Sequence, residues 1–116
     1  NFVKLSLTSK SPISINSTCT VFAESEVISL IAKKVPKQDI IAGIHKSVAK
    51  RVADMARAAG AKPVVFFDGG GAINLALKKA IEKELGHELF VTEHPQIVVA
   101  LGAALTAHEN YSKKKP

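Results

Sequence analysis

Apolar residues recur along this chain in several rhythms, and each rhythm predicts a different element. Ile41, Ile44, Val48, Val52, Met55 and Ala59 follow one another at steps of three and four, the spacing that puts side chains on one face of an α-helix. They predict a long helix that opens near Gln38 and Asp39 and closes at Gly60, with the stripe as its core face. Upstream, a helix over 21–34 is predicted, apolar on two faces: Ala23, Val27, Leu30 and Ile31 on one, Val21, Ile28, Ala32 and the adjoining Val35 on the other. A helix apolar on most sides is buried or meets a partner. Ser17, Thr18, Cys19 and Thr20 precede it as capping types, and Pro36 follows it. Glu24 and Glu26 near its start and Lys33 and Lys34 at its end suit the helix dipole.

The second half changes period. Pro63, Val64, Val65, Phe66 and Phe67 form an unbroken run of β-formers, the pattern of a strand buried on both faces. Asp68, Gly69, Gly70 and Gly71 end it, and a helix begins near Ala72 with Ile73, Leu77, Ala80, Ile81 and Leu85 as its stripe and Gly86 as its stop. A short strand over 88–92 follows, then a last helix opened by Pro95 and built on Ile97, Val98, Leu101, Ala104 and Leu105. Ala100, Gly102, Ala103 and Ala104 would let a neighbouring backbone come close to it. Residues 111–116 read as a frayed tail, 13–16 as a short extended segment, and the first ten residues as no clear element. Strand, glycine turn, helix, strand, helix is an α/β pattern with a right-handed crossover. Two strands make a poor sheet, so further strands are expected upstream of Asn1. With no initiating Met, the chain reads as a piece of something longer.

Composition narrows the class. A chain of 116 residues, 47% apolar and 22% charged, holds one domain and is neither disordered nor fibrous. No apolar run reaches the length of a membrane span, and no secretory signal opens the chain. A single cysteine, Cys19, excludes an internal disulfide framework and fits a reducing compartment, which points to the cytoplasm. The net charge of +6 sits in residues 33–62, where Lys33, Lys34, Lys37, Lys46, Lys50, Arg51, Arg57 and Lys62 face only Asp39 and Asp54. No aromatic residues interleave with this charge, so it reads as a solvated helix face rather than a nucleic-acid surface.

The glycine triplet is the main chemical candidate. It lies at the carboxyl end of a strand, where open α/β sheets bind ligands, and glycine lets a ligand approach the backbone. The amide groups of the helix's first turn would point at an anion. The lysine and spacing of a P-loop are absent, so a nucleotide contact and a tight structural turn both fit. Asp68 would repel a phosphate unless a Mg²⁺ ion or a ribose hydroxyl stands nearby. His45 reads as a packed or capping histidine, and His87, His94 and His108 share no zinc spacing.

One string is more specific. Ser17-Thr18-Cys19-Thr20-Val21-Phe22-Ala23-Glu24-Ser25-Glu26-Val27-Ile28-Ser29 resembles the activator ATPases of 2-hydroxyacyl-CoA dehydratases and the related ATPase subunits of benzoyl-CoA reductases. The likeness continues through residues 39–45, Ser47-Val48-Ala49, Gly69-Gly70 with Ala72 and Asn74, Glu84-Leu85-Gly86, Pro95-Gln96 and residues 100–105. Asp68 stands where that family commonly has threonine, and Val99 where it commonly has glycine.

The resemblance implies an actin-, Hsp70- and sugar-kinase-like fold of which this chain is the carboxyl half. It implies ATP or ADP with Mg²⁺ in a cleft, with Gly69, Gly70, Gly71, Ala72, Asn74 and Gln96 as nucleotide-binding residues. It further implies a homodimer sharing one [4Fe-4S] cluster, with Cys19 as one ligand and the second cysteine of each subunit outside this chain. ATP hydrolysis would then drive a low-potential electron into a partner dehydratase or reductase, the 116-residue piece alone being inactive. Independently, a thiolate at a helix amino terminus is stabilised for metal ligation. Two other readings compete. One is a phosphotransferase of the N-acetylglucosamine kinase type, which has no need of Cys19. The other is a degenerate ATPase-like interaction module.

Overall fold

A computed structural model describes residues 1–16 and 20–113 of the chain. Among them are helices α1 (Phe2–Thr8), α2 (Thr20–Ala32), α3 (Lys37–Ala58), α4 (Leu75–Leu85) and α5 (Val98–Lys113), with strands β1 (Val65–Phe66) and β2 (Leu89–Phe90). The two strands pair in parallel, Val65 opposite Leu89 and Phe66 opposite Phe90. The Phe67 N–H extends the ladder to the Phe90 carbonyl at 2.7 Å.

The core forms where α3 and α4 cover one face of this ribbon. Ala49, Ile81 and Leu89 are buried together, with Val65, Phe67, Leu77, Ala80 and Leu85 around them. The other face is bare: Phe66 and Phe90 are 62% and 61% exposed and lie side by side with their rings tilted 51° to each other, centroids 5.6 Å apart. The expectation of a strand buried on both faces is therefore corrected, because α3 and α4 lie on the same side and no described element covers the opposite one.

The long helix has the expected position, with Gly60 beyond its end at φ 72°. Its inward face is different. Ala42, Gly43, Ala49 and Ala53 are buried, whereas Ile44, Val48, Val52 and Met55 of the expected core stripe lie exposed. Small side chains let α3 approach α4 closely, and the bulky stripe points away from it. In the first ten residues, read as no element, α1 forms instead. The Asn1 side chain caps it by accepting the Val3 N–H at 3.1 Å, and the helix packs on α3 and α4. The first full helix after the glycines begins three residues later than expected. A 3₁₀ turn over Gly70–Ile73 intervenes, and Asn74 caps α4.

The extended segment at 13–16 lies along α3, its Ile13 N–H donating to the Asp39 carbonyl at 3.2 Å. Glu26 accepts the Asn16 N–H at 2.9 Å; neither it nor Glu24 falls in the first turn of α2, so Glu26 ties two elements together rather than meeting the helix dipole. Helix α5 buries no residue, and a Cβ on Gly102 would meet only open space. It is helical to Lys113, within the tail read as frayed. Residues 17–19 and 114–116 lie outside the described residues.

Candidate functional site

Parallel pairing brings the carboxyl ends of β1 and β2 side by side, and the loops that leave them meet. The Gly69 N–H donates to the Pro95 carbonyl at 2.7 Å, and the Thr92 hydroxyl donates to Asp68 Oδ1 at 2.8 Å. Asp68 is thus tied across the two loops. Gly69 has φ 91°, a conformation that requires glycine. A Cβ on Gly69 or Gly70 would meet nothing within 4 Å, so the backbone is open to a ligand there; one on Gly71 would touch the Phe67 ring. Ala72 is buried behind them. The sequence thus places an uncovered backbone turn where two strands end.

The next residue outward is committed to the fold. Asn74 Oδ1 accepts the N–H groups of Ala76 and Leu77, each at 3.1 Å. Those amides, expected to point at an anion, are taken by this cap. An anion at the turn would have to meet the backbone nearer Gly70. Asn74 Nδ2 faces His45 Nε2 at 3.0 Å, and His45 Nδ1 lies 2.8 Å from the Ser6 hydroxyl. Burial holds the His45 pKa below its ordinary value of 6.5, favouring the neutral ring. Beside this chain of contacts is a hollow of about 330 Å³ between α1, α3 and α4, bordered by Ser6, His45, Lys46, Lys79 and Lys83.

Of the candidate residues, Gly69, Gly70, Gly71 and Ala72 form one continuous turn, and Gln96, exposed, adjoins the Pro95 carbonyl that anchors it. Asn74 joins the turn to α4. Cys19 lies outside the described residues; α2 starts beside it at Thr20. Val99 is 74% exposed. The basic residues of 33–62 are exposed, and two of them pair with Asp54, Lys50 at 2.9 Å and Arg57 at 2.8 Å. Among the described residues no three His, Cys, Asp or Glu side chains converge as a metal site, and no helix is long and apolar enough to cross a membrane. Sequence reading did not link Ser6 and His45 to Asn74. The available signal was that His45 falls on the helical face shared by Ala42 and Ala49, where a polar group must find a partner.

The sequence profile described as the BadF/BadG/BcrA/BcrD ATPase family matches residues 4–107. The 2-hydroxyisocaproyl-CoA dehydratase activator of Clostridioides difficile is 46% identical over 105 residues, which are 90% of this chain and 40% of that protein. A benzoyl-CoA reductase subunit of Thauera aromatica is 32% identical over 87% of this chain and 38% of its own length. Two solved structures share the fold. The Clostridium difficile activator with bound ADPNP superposes with a TM-score of 0.86 at 42% identity, over 99% of this chain and 44% of that one. Component A of the Acidaminococcus fermentans (R)-2-hydroxyglutaryl-CoA dehydratase gives a TM-score of 0.88 at 45% identity, over 96% and 43%. This chain therefore spans about two fifths of the length of its relatives, and its helices and small parallel sheet are part of their actin-like α/β fold. On both sequence and fold, the chain belongs to the BadF/BadG/BcrA/BcrD ATPase family.

Proposed function

We propose that this chain is the carboxyl-terminal part of an ATP-dependent activator that passes a low-potential electron to an acyl-CoA dehydratase or reductase of the 2-hydroxyacyl-CoA or benzoyl-CoA type. The observation that carries the nucleotide half of this reading is the uncovered Gly69–Gly70 backbone, anchored to Pro95 where both strands end. Gly69, Gly70 and Gly71 would lie against the nucleotide, Ala72 would support the turn from below, and Gln96 would border it. Asn74 would hold the turn in place rather than reach the ligand. That one solved relative carries ADPNP supports the same assignment.

The electron-transfer half rests on Cys19. A [4Fe-4S] cluster takes four thiolates, and this chain has one cysteine; the resemblance to the activator ATPases implies a cluster shared between two subunits, with a further cysteine from each. When bound, it supplies a one-electron carrier. Cys19 would contribute a thiolate next to the start of α2 at Thr20, where a helix dipole favours the anion. The decisive test is iron content and visible absorbance of the full-length protein purified without oxygen, beside its Cys19→Ala variant. A brown protein with about four irons per dimer, bleached by the substitution, is the expected result. A colourless, iron-free protein removes the electron-transfer reading and leaves ATP binding to separate a phosphotransferase from an interaction module.

A further inference from the structure

We propose that His45 is a positioning residue for the nucleotide turn: as the neutral Nδ1–H tautomer it holds Asn74 at the head of α4, and taking up a proton releases that hold and weakens nucleotide binding. The inference rests on the reading of Gly69–Gly71 as a nucleotide site.

The tautomer follows from the hydrogen-bond chain. Asn74 Oδ1 is occupied by two backbone donors, Ala76 and Leu77, which fixes the orientation of the amide. Its Nδ2 must therefore be the atom 3.0 Å from His45 Nε2, and an amide NH₂ only donates. Nε2 is accordingly bare, and the ring proton sits on Nδ1, donated to the Ser6 hydroxyl at 2.8 Å. A second proton on Nε2 would set donor against donor. Asn74 could relieve this only by turning its oxygen to the ring, which strips Ala76 and Leu77 of their acceptor and uncaps α4 one residue after the 3₁₀ turn.

The surroundings favour the neutral ring. The charged groups that border the same hollow are Lys46 on the helix of His45 itself and Lys79, Lys83 and Glu84 on α4; α1 contributes only Ser6 and apolar atoms. Burial is what lowers the His45 pKa and favours the neutral ring.

Two measurements on the full-length protein test the inference. Imidazole and amide ¹⁵N spectroscopy from pH 8 to pH 5 needs no nucleotide and no substitution. It should find Nε2 unprotonated at pH 8 and the Ala76 and Leu77 amide signals moving along the titration curve of His45. Binding of a fluorescent ADP analogue over the same range should weaken about fivefold or more at low pH, the scale of a lost cap. In His45→Gln, whose oxygen can accept from Asn74 but cannot titrate, the pH 8 affinity should persist down to pH 5. An Nε2–H tautomer, Ala76 and Leu77 signals indifferent to His45, or an unchanged pH profile in His45→Gln each overturns the inference while leaving the nucleotide reading standing. Absence of binding at pH 8 sinks the nucleotide reading and this inference with it.

Discussion

A Cβ added at Gly43 would run into the carbonyl oxygen of Ile13, with the Ile15 side chain 3.2 Å away. Two effects compete in Gly43→Ala. Alanine raises helix propensity by about 1 kcal/mol, but the collision is with backbone, which cannot rotate aside, and overpacking of that kind costs roughly 1–3 kcal/mol. The collision should win, so Gly43→Ala is expected to lower stability in urea unfolding and to loosen the 13–16 segment from α3. Acid sensitivity is also set at this scale. Glu82 Oε1 accepts the Leu89 N–H at 2.8 Å and the Lys78 ammonium at 2.9 Å. The Leu89 hydrogen bond, helped by Lys78, lowers its pKa below 4.5. Such a depressed acid contributes stability that is complete above pH 4.5 and is lost as pH falls through the folded-state value. His45, also depressed, loses its contribution earlier, as pH falls from 6.5. A urea midpoint followed against pH should thus decline in two windows; Glu82→Gln should shrink the lower one, to which Asp54, held down by Lys50 and Arg57, also contributes, and leave the upper one unchanged.

At the scale of elements, the informative contrast is between the two faces of α3. Periodicity identified the helix and its Gly60 stop, yet it favoured the bulky stripe as core, whereas Ala49 and Ala53 are fully buried and Val48 is 40% exposed. Hydrophobicity ranks Val48 above Ala49, but close approach to α4 selects the smaller side chain, and size matching between two helices is not written in either helix alone. The strands and the glycine turn were legible because Val, Phe and Gly have strong local preferences. Helix α1 was not, since it holds by tertiary contact with α3 and α4 and by the Asn1 cap. Within the site, the position of Gly69–Gly71 was legible and the Ser6–His45–Asn74 chain was not, because it joins residues 39 and 29 positions apart. Substitution would separate the two faces of α3. Ile81→Ala, opposite Ala49, should cost roughly 2–5 kcal/mol, while Val48→Ala on the exposed stripe should cost under about 1 kcal/mol. Equal losses in thermal unfolding would mean the stripe is covered and the core assignment is mistaken.

The whole molecule is open on several sides. Its radius of gyration is 18.1 Å with a long axis of 69 Å, against about 13 Å expected of a compact domain near this length. The bare Phe66–Phe90 face, the α3 stripe and α5 all present apolar side chains. Phosphoryl transfer is mostly positioning: a metal ion, charge-neutralising groups and an oriented nucleophile must surround the terminal phosphate together. Beside the backbone turn, the acid nearest it, Asp68, is engaged by Thr92. The chain also covers only about two fifths of relatives such as the solved activator with bound ADPNP. Taken alone, the 116-residue chain should therefore release no phosphate from ATP above the buffer blank, while the full-length protein does. The pairing of Gly69→Val with the wild-type chain makes the result decisive. A side chain at φ 91° distorts the turn, so phosphate release by the short chain that this substitution abolishes would mean the glycine turn already sits in a complete catalytic site. Release that survives the substitution would trace to a contaminant.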